Sequence, residues 1–295
     1  MVTEIFLLGF QHLSNFKILV FSVILLIHIL TVYENALVIA LVTVSRGLQS
    51  PMFFFLQQLS FSDLLLSVLI VPTLLSTVMN EGAKIPLIGC IVQLYFFGAT
   101  DILQCLLLTV MSYDRYLAIC NPLRYSSLMS HRVCITLIAM SWLLALSFIP
   151  VTMIPLATQE FCNHNSINHF FCDLFPLLEL SCSDTSLAQI LAMALTVPVI
   201  LFPFMFIIGS YICIAHEILK IVSSIGRQKA FSTCSSHLAV VSIFYGTLIG
   251  IYVVPTRNQL QTISKLLSLL YTVVTPFINP MIYSLKSADM KNALK

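Results

Sequence analysis

Six polar side chains interrupt long apolar stretches of this chain: Asn35, Asp63, Asp101, Arg115, His237 and Asn279. Against hydrocarbon each is costly, so each must face a packed interior or an interface. Asp63, in LSFSDLLL, needs a partner at its own depth, and Asn35 and Asn279 are the candidates. Together they suit a central polar network that rearranges in a switch, although a static tie would use the same residues. A lone Asp63 is also a weak sodium site, since Gln104 beyond it adds no charge. Buried, Asp101 is either neutral and a donor, or charged and paired with a cationic ligand, which biases its surroundings toward amines or strong hydrogen-bonding partners. Arg115 is either an interfacial anchor or a donor that its neighbour Asp114 holds at rest and releases to another protein's helix. Catalysis finds no support, because the scattered Ser, His and Asp residues form no nucleophile elbow and no phosphate-binding glycine loop. Cys162, His164, His169 and Cys172 could be grouped as metal ligands, but disulfide use fits an oxidising compartment better. No cofactor is implied.

The elements that position these groups follow from composition. The chain is 59% hydrophobic and 9% charged, and its mean hydropathy is +0.99. A soluble domain of ordinary composition is about one quarter charged, so the solvent for most of this chain is lipid. The net charge of +2 is too small and scattered to suggest a nucleic-acid partner, and none is expected. Seven apolar segments stand at about 18–44, 53–79, 90–120, 133–156, 188–215, 231–254 and 263–285. They predict an all-α membrane protein, a single seven-helix transmembrane bundle filling residues 1–295, and not a barrel of short alternating strands. The first apolar run is too long, and lacks the right end, for a cleaved signal peptide. No internal repeat suggests a transporter.

Lysine and arginine set the expected orientation. With the N-terminus outside, ten fall on the cytosolic side and four outside, in line with the positive-inside rule. The loop near 157–187 has acids but no Lys or Arg, and suits the outer side. Four cysteines, Cys90, Cys162, Cys172 and Cys182, then lie at the outer face, where spacing leaves three pairings open. Segment 216–230 has helical periodicity and is expected to extend the fifth helix toward the sixth. Pro198, Pro203, Pro276 and Pro280 should kink the fifth and seventh helices.

A pocket is expected in the outer half. On the third helix Phe97, Gly98, Asp101, Ile102 and Cys105 recur at three- and four-residue spacing. Leu195, Thr196 and Val199 face it from the fifth, Tyr245, Leu248, Ile249 and Tyr252 from the sixth, and Tyr271 and Thr272 from the seventh. Mostly apolar with a few hydroxyls, such a cavity suits a small volatile organic molecule, although core packing explains any single apolar member equally well.

The motifs that identify a family are LQSPMFFFL at 48–56, LSFSD at 59–63, MSYDRYLAICNPLRY at 111–125, HFFCD at 169–173 and LSCSDT at 180–185. KAFSTCSSHL at 229–238, FYG at 244–246 and PFINPMIYSLK at 276–286 complete the set. In combination the chain resembles the vertebrate olfactory receptors within the rhodopsin-like G-protein-coupled receptors. The resemblance implies a small-molecule odorant as ligand and a stimulatory, olfactory-type heterotrimeric G protein as partner, acting through cyclic AMP at the plasma membrane of olfactory cilia. A non-olfactory chemosensory receptor for a metabolite is the alternative. It further implies that Asp114, Arg115 and Tyr116 gate the G-protein site, with Tyr211 and Tyr283 as switch partners of Arg115. His237 marks the moving start of the sixth helix, and Asn279 and Pro280 belong to the NPxxY element. Asp63 is the core polar site, and the disulfides are Cys90–Cys172 and Cys162–Cys182. Departures from the family pattern are Glu34 before Asn35 in place of Gly, PMFFFL in place of PMYFFL, and Gln104 where Glu is common. The glycosylated tail that usually precedes VTEIFLLGF is absent; if the sequence is complete, weaker surface expression is expected.

Overall fold

The computed structural model describes residues 3–10, 16–157, 159–161, 165–253, 261–286, 290 and 293. Among the described residues, seven helices are long and apolar enough to cross a membrane. They are α1 (Lys17–Val44), α2 (Pro51–Met79), α3 (Leu87–Cys120), α4 (His131–Thr152), α5 (Ser186–Lys220) and α6 (Ser224–Val253). The seventh is formed by α7 (Gln261–Leu269) and α8 (Thr275–Lys286), joined by a π-helical turn over Leu270–Val274. In lipid every backbone N–H and C=O must be paired within the chain, and a helix achieves this alone.

α3 is the axial element. Its buried residues run from Cys90 to Leu117, whereas α1 and α5 leave broad apolar faces exposed, as lipid-facing helices do. Gly98 sits where α3 meets α4, and a Cβ there would come within 2.7 Å of the Ile149 side chain. α5 does extend past 215 but stops at Lys220, where Ile221 turns to extended backbone (ψ 113°), and α6 starts afresh at Ser224. The two helices are therefore separate, since the extended backbone at Ile221 interrupts the i→i−4 ladder.

The π turn has a local cause. Pro276 has no N–H to give to the preceding turn, and its ring crowds the carbonyl there. The chain relieves this by widening one turn: the Thr275 N–H reaches back to the Leu270 carbonyl, and the Thr275 hydroxyl donates to the same oxygen at 3.0 Å. Pro198 and Pro203 lie inside α5, which continues through them.

Helical periodicity gave no sign of a small sheet at one end of the bundle. Strand β1 (Glu4–Leu7) pairs antiparallel with β2 (Ala83–Pro86) and parallel with β3 (Ser166–Ile167). Ile5 and Leu7 are buried beneath it against Leu94, Leu156 and Leu177. The disulfide Cys90–Cys172 ties the β3 loop to the start of α3. The N–H of Cys172 donates to Gln93 Oε1 (2.9 Å), while Gln93 Nε2 donates to the Leu69 carbonyl on α2 (3.1 Å). Lys265 closes the cap by donating to the Gly9 carbonyl and to Asn168 Oδ1, both at 2.6 Å. Gly9 itself has φ +59°, and a Cβ would strike Thr77 at 2.7 Å, so glycine is required there. Cys182 is also disulfide-bonded; Cys162, its expected partner, lies outside the described residues.

Candidate functional site

Beneath the sheet, between α3, α4, α5 and the short helix Leu174–Leu178, lies a cavity of about 60 Å³. Of the residues expected at a pocket, Phe97, Gly98, Asp101, Ile102, Thr196 and Val199 line it. Phe148, Ile149, Thr152, Asp173 and Phe175 also line it and were not singled out as pocket residues by sequence. Asp173 sits in HFFCD and could be found only once the disulfide had folded the loop inward. Its carboxylate caps the short helix by accepting from the Leu174 N–H at 2.7 Å. Burial pushes its pKa up to about 6. Nearby, burial and the charge of Lys265 hold His169 down to about 3, so it is neutral among Phe170 and Phe171.

The other expected pocket residues lie elsewhere. Tyr271 faces inward and donates its hydroxyl to Asp101 Oδ1 at 3.0 Å. Thr272 is buried and spends its hydroxyl on the Ser268 carbonyl. Cys105 and Leu248 are buried in the core, with Cys105 beside the Tyr245 hydroxyl. Leu195 is half-buried on α5. Ile249, 39% exposed, lines a groove between α5 and α6, to which Tyr245 contributes its other side. The side chain of Tyr252 lies outside the described residues.

Aromatic rings continue from the cavity toward α6. Phe97 packs on Phe171 (4.9 Å between centroids) and edge-on to Tyr271 (5.9 Å). Tyr271 meets Phe244 (5.8 Å), which meets Tyr245 (5.1 Å), which meets Phe204 on α5 (4.7 Å). Such pairs add about 0.5–1.5 kcal/mol each beyond the area they bury.

Below this ladder Asp63 is fully buried and accepts from Gln104 Nε2 (2.9 Å) and Asn279 Nδ2 (3.0 Å). Asn279 thus partners Asp63, but Asn35 does not. Its amide donates to the Thr31 and Pro276 carbonyls at 2.9 and 3.0 Å, tying α1 to the first turn of α8. That carbonyl lies beside the π turn, where a donor from a neighbouring helix is most useful. Gln104, set aside in the sequence for lacking charge, is the second partner because an amide can donate where a carboxylate could only repel.

At the far end of α3, Arg115 pairs with Asp114, its Nε at 2.9 Å, and Asp114 Oδ1 accepts from the Tyr125 hydroxyl at 2.7 Å. Tyr116 packs beside Ile214, Ile218 and Cys234. Tyr211 turns to His237, whose Nδ1 lies 2.7 Å from its hydroxyl, and the two rings stack. His237 Nε2 lies 3.1 Å from the Leu108 carbonyl of α3. A carbonyl can only accept, so Nε2 carries the proton and Nδ1 accepts from Tyr211. One neutral histidine therefore brackets α6 to both α3 and α5. The Tyr283 hydroxyl is buried and has no hydrogen-bond partner among the described residues, and Pro280 lies inside α8. No group of three or more His, Cys, Asp or Glu placed to hold a metal occurs among the described residues.

Comparison with known proteins shows the family. A family profile described as olfactory receptor matches residues 21–295. Human olfactory receptor 11L1 is 45% identical over 296 residues, covering 100% of this chain and 91% of the relative. Human olfactory receptor 10C1 is 46% identical, covering 100% of this chain and 95% of the relative. Rat olfactory receptor 1468 is 42% identical, covering 99% and 93%. Squid rhodopsin shares the fold, with a TM-score of 0.72 at 20% identity over 92% of this chain and 78% of that one. The chain thus belongs to the olfactory receptor family of rhodopsin-like G-protein-coupled receptors.

Proposed function

We propose that the α3–α4–α5 cavity receives a small organic odorant, and that its occupancy is relayed to a stimulatory olfactory-type G protein at the Arg115 end of α3, raising cyclic AMP. The observation that carries this reading is that one helix lines the cavity with Phe97 and Asp101 and, farther along, carries both Arg115 and the Leu108 carbonyl that holds α6. In the described conformation Arg115 is held by Asp114, and α6 is held by His237. A G protein would be excluded until both contacts open, so odorant and G protein favour the same rearranged state and each raises affinity for the other. The excess of Lys and Arg at the Arg115 end supports a cytosolic placement, with the sheet and the N-terminus outside. Asp114, Tyr116, Tyr211, Asn279, Pro280 and Tyr283 are assigned to this switch, and olfactory cilia to its location. Asp63 remains a weak sodium site, since it supplies one charge and already takes two amide donors.

The test is a cyclic AMP reporter screen of amines, alcohols, aldehydes, acids and esters, with surface density measured in parallel. Arg115→Ala should abolish the response at matched surface density. A response that survives this change would refute the relay.

A further inference from the structure

We propose that the ligands of this cavity are small primary amines, whose ammonium is held between the carboxylates of Asp101 and Asp173. The inference rests on the odorant-receptor reading and narrows its ligand class. Both acids line the same cavity, one from α3 and the other from the disulfide-tied loop. They are only 6% and 8% exposed, and close enough for the charge of one to act on the other. Each has one oxygen already engaged: Asp101 Oδ1 by the Tyr271 hydroxyl and Asp173 Oδ1 by the Leu174 N–H. The remaining oxygen of each, Oδ2, accepts no hydrogen bond among the described residues. Among the described residues, no Lys, Arg or His lines the cavity.

Two buried acids without a cation are an expensive arrangement, and the missing partner is a donor that enters with the ligand. An alkylammonium has three N–H donors. The two free carboxylate oxygens can take two of them, and the Thr196 hydroxyl, on the same wall, supplies a third acceptor. Ile102, Ile149 and Val199 provide an apolar sleeve for the carbon chain. A bare metal ion is a poorer match, because calcium or magnesium needs about six oxygens and that sleeve offers none. An alcohol of the same length fills the sleeve but brings one donor and no charge. The small volume favours short chains.

The probes are butylamine and 1-butanol, read in two ways: thermal stabilisation of the purified full-length receptor, and cyclic AMP in cells. Butylamine should stabilise the parent and act at concentrations at least tenfold lower than 1-butanol. Asp101→Asn and Asp173→Asn should each weaken the butylamine response by ten- to a hundredfold at matched surface density, with ligand-free melting of the purified variants showing that they are folded. Stabilisation by butylamine without any cyclic AMP signal would support the site and count against the G-protein reading alone. Other odorants raising cyclic AMP while butylamine neither stabilises nor signals would overturn the site and leave that reading intact. Equal potency of amine and alcohol, an unchanged amine response in both variants, or stabilisation by calcium but not by butylamine would each also overturn it.

Discussion

Replacing His237 with leucine should switch the receptor partly on without ligand. The side chain makes two hydrogen bonds, one to the Leu108 carbonyl at 3.1 Å and one from the Tyr211 hydroxyl at 2.7 Å. The Leu108 carbonyl also serves α3 as a helical acceptor, so the loss does not orphan it. Each bond is then worth the net value of an ordinary buried pair, about 1 kcal/mol. Losing both shifts the closed-to-open equilibrium by about 2 kcal/mol, or about 30-fold. A receptor open about 1% of the time at rest would become open about one quarter of the time. Tyr211→Phe keeps the stacked ring but removes one bond, so its effect should be about 5-fold. Because the two changes share that bond, the double variant should exceed His237→Leu by little. The assay is basal cyclic AMP normalised to surface density. Basal activity unchanged or lowered in well-expressed His237→Leu would falsify the bracket, and strictly additive effects would show that the two residues act apart.

Three further outcomes follow from the same geometry. Cys90→Ser or Cys172→Ser opens a crosslink spanning 82 residues, which in the chain-entropy account removes about 4–5 kcal/mol; surface labelling should collapse in either variant, with the double variant no worse than the singles. Asp63→Leu leaves the Gln104 and Asn279 amides without their acceptor, at about 2–4 kcal/mol; surface density should fall, and adding Gln104→Leu should recover part of it. The Asp173 carboxyl, raised from 3.8 to about 6 in the folded protein, binds its proton more tightly folded than unfolded. Its contribution therefore favours folding at low pH and declines as pH rises from about 4 to about 6, by about 3 kcal/mol in all. His169, lowered from 6.5 to about 3, works in the opposite direction, so the quantity to measure is the difference between parent and Asp173→Asn. Melting of the ligand-free receptor across pH 4–8 should show the variant gaining on the parent as pH rises through that window, and a constant difference would contradict the assignment.

Much of this architecture is written in one-dimensional patterns. Seven apolar runs fix seven helices because lipid allows little else, and the motifs around Arg115, Asp63 and Asn279 mark a family whose helices pack in one way. What the sequence does not reveal are features that depend on which residues the fold brings together. Strand β1 is four residues long, and its partners lie about 80 and 160 positions away, beyond the reach of any local periodicity. Asp173 becomes a wall of the cavity only after Cys172 is pinned to Cys90 and Gln93. Tyr125 reads as part of a loop until the turn after α3 brings its hydroxyl to Asp114. Gln104 illustrates a different kind of miss: counting charge concealed the fact that two amides can satisfy one carboxylate more cheaply than a cation can.

The pieces join at Tyr271. It touches the two α3 residues that line the cavity, Asp101 through its hydroxyl and Phe97 through its ring edge, and on its other side it packs against Phe244 of α6. It also stands in the π turn, the one irregular stretch of the seventh helix. A widened turn has a nearby regular alternative that differs by one hydrogen-bond register, so it can exist in two discrete arrangements where a straight helix has one. If an ammonium draws Asp101 away from the Tyr271 hydroxyl, the ring loses the contact that sets its orientation. Phe244 then loses a neighbour two helical turns from His237, on the same rod that His237 ties to α3 and α5. Coupling of this kind requires no wire of strong bonds. It requires a two-state element that both ends bias, and on the proposed reading the π turn over Leu270–Val274 would be that element.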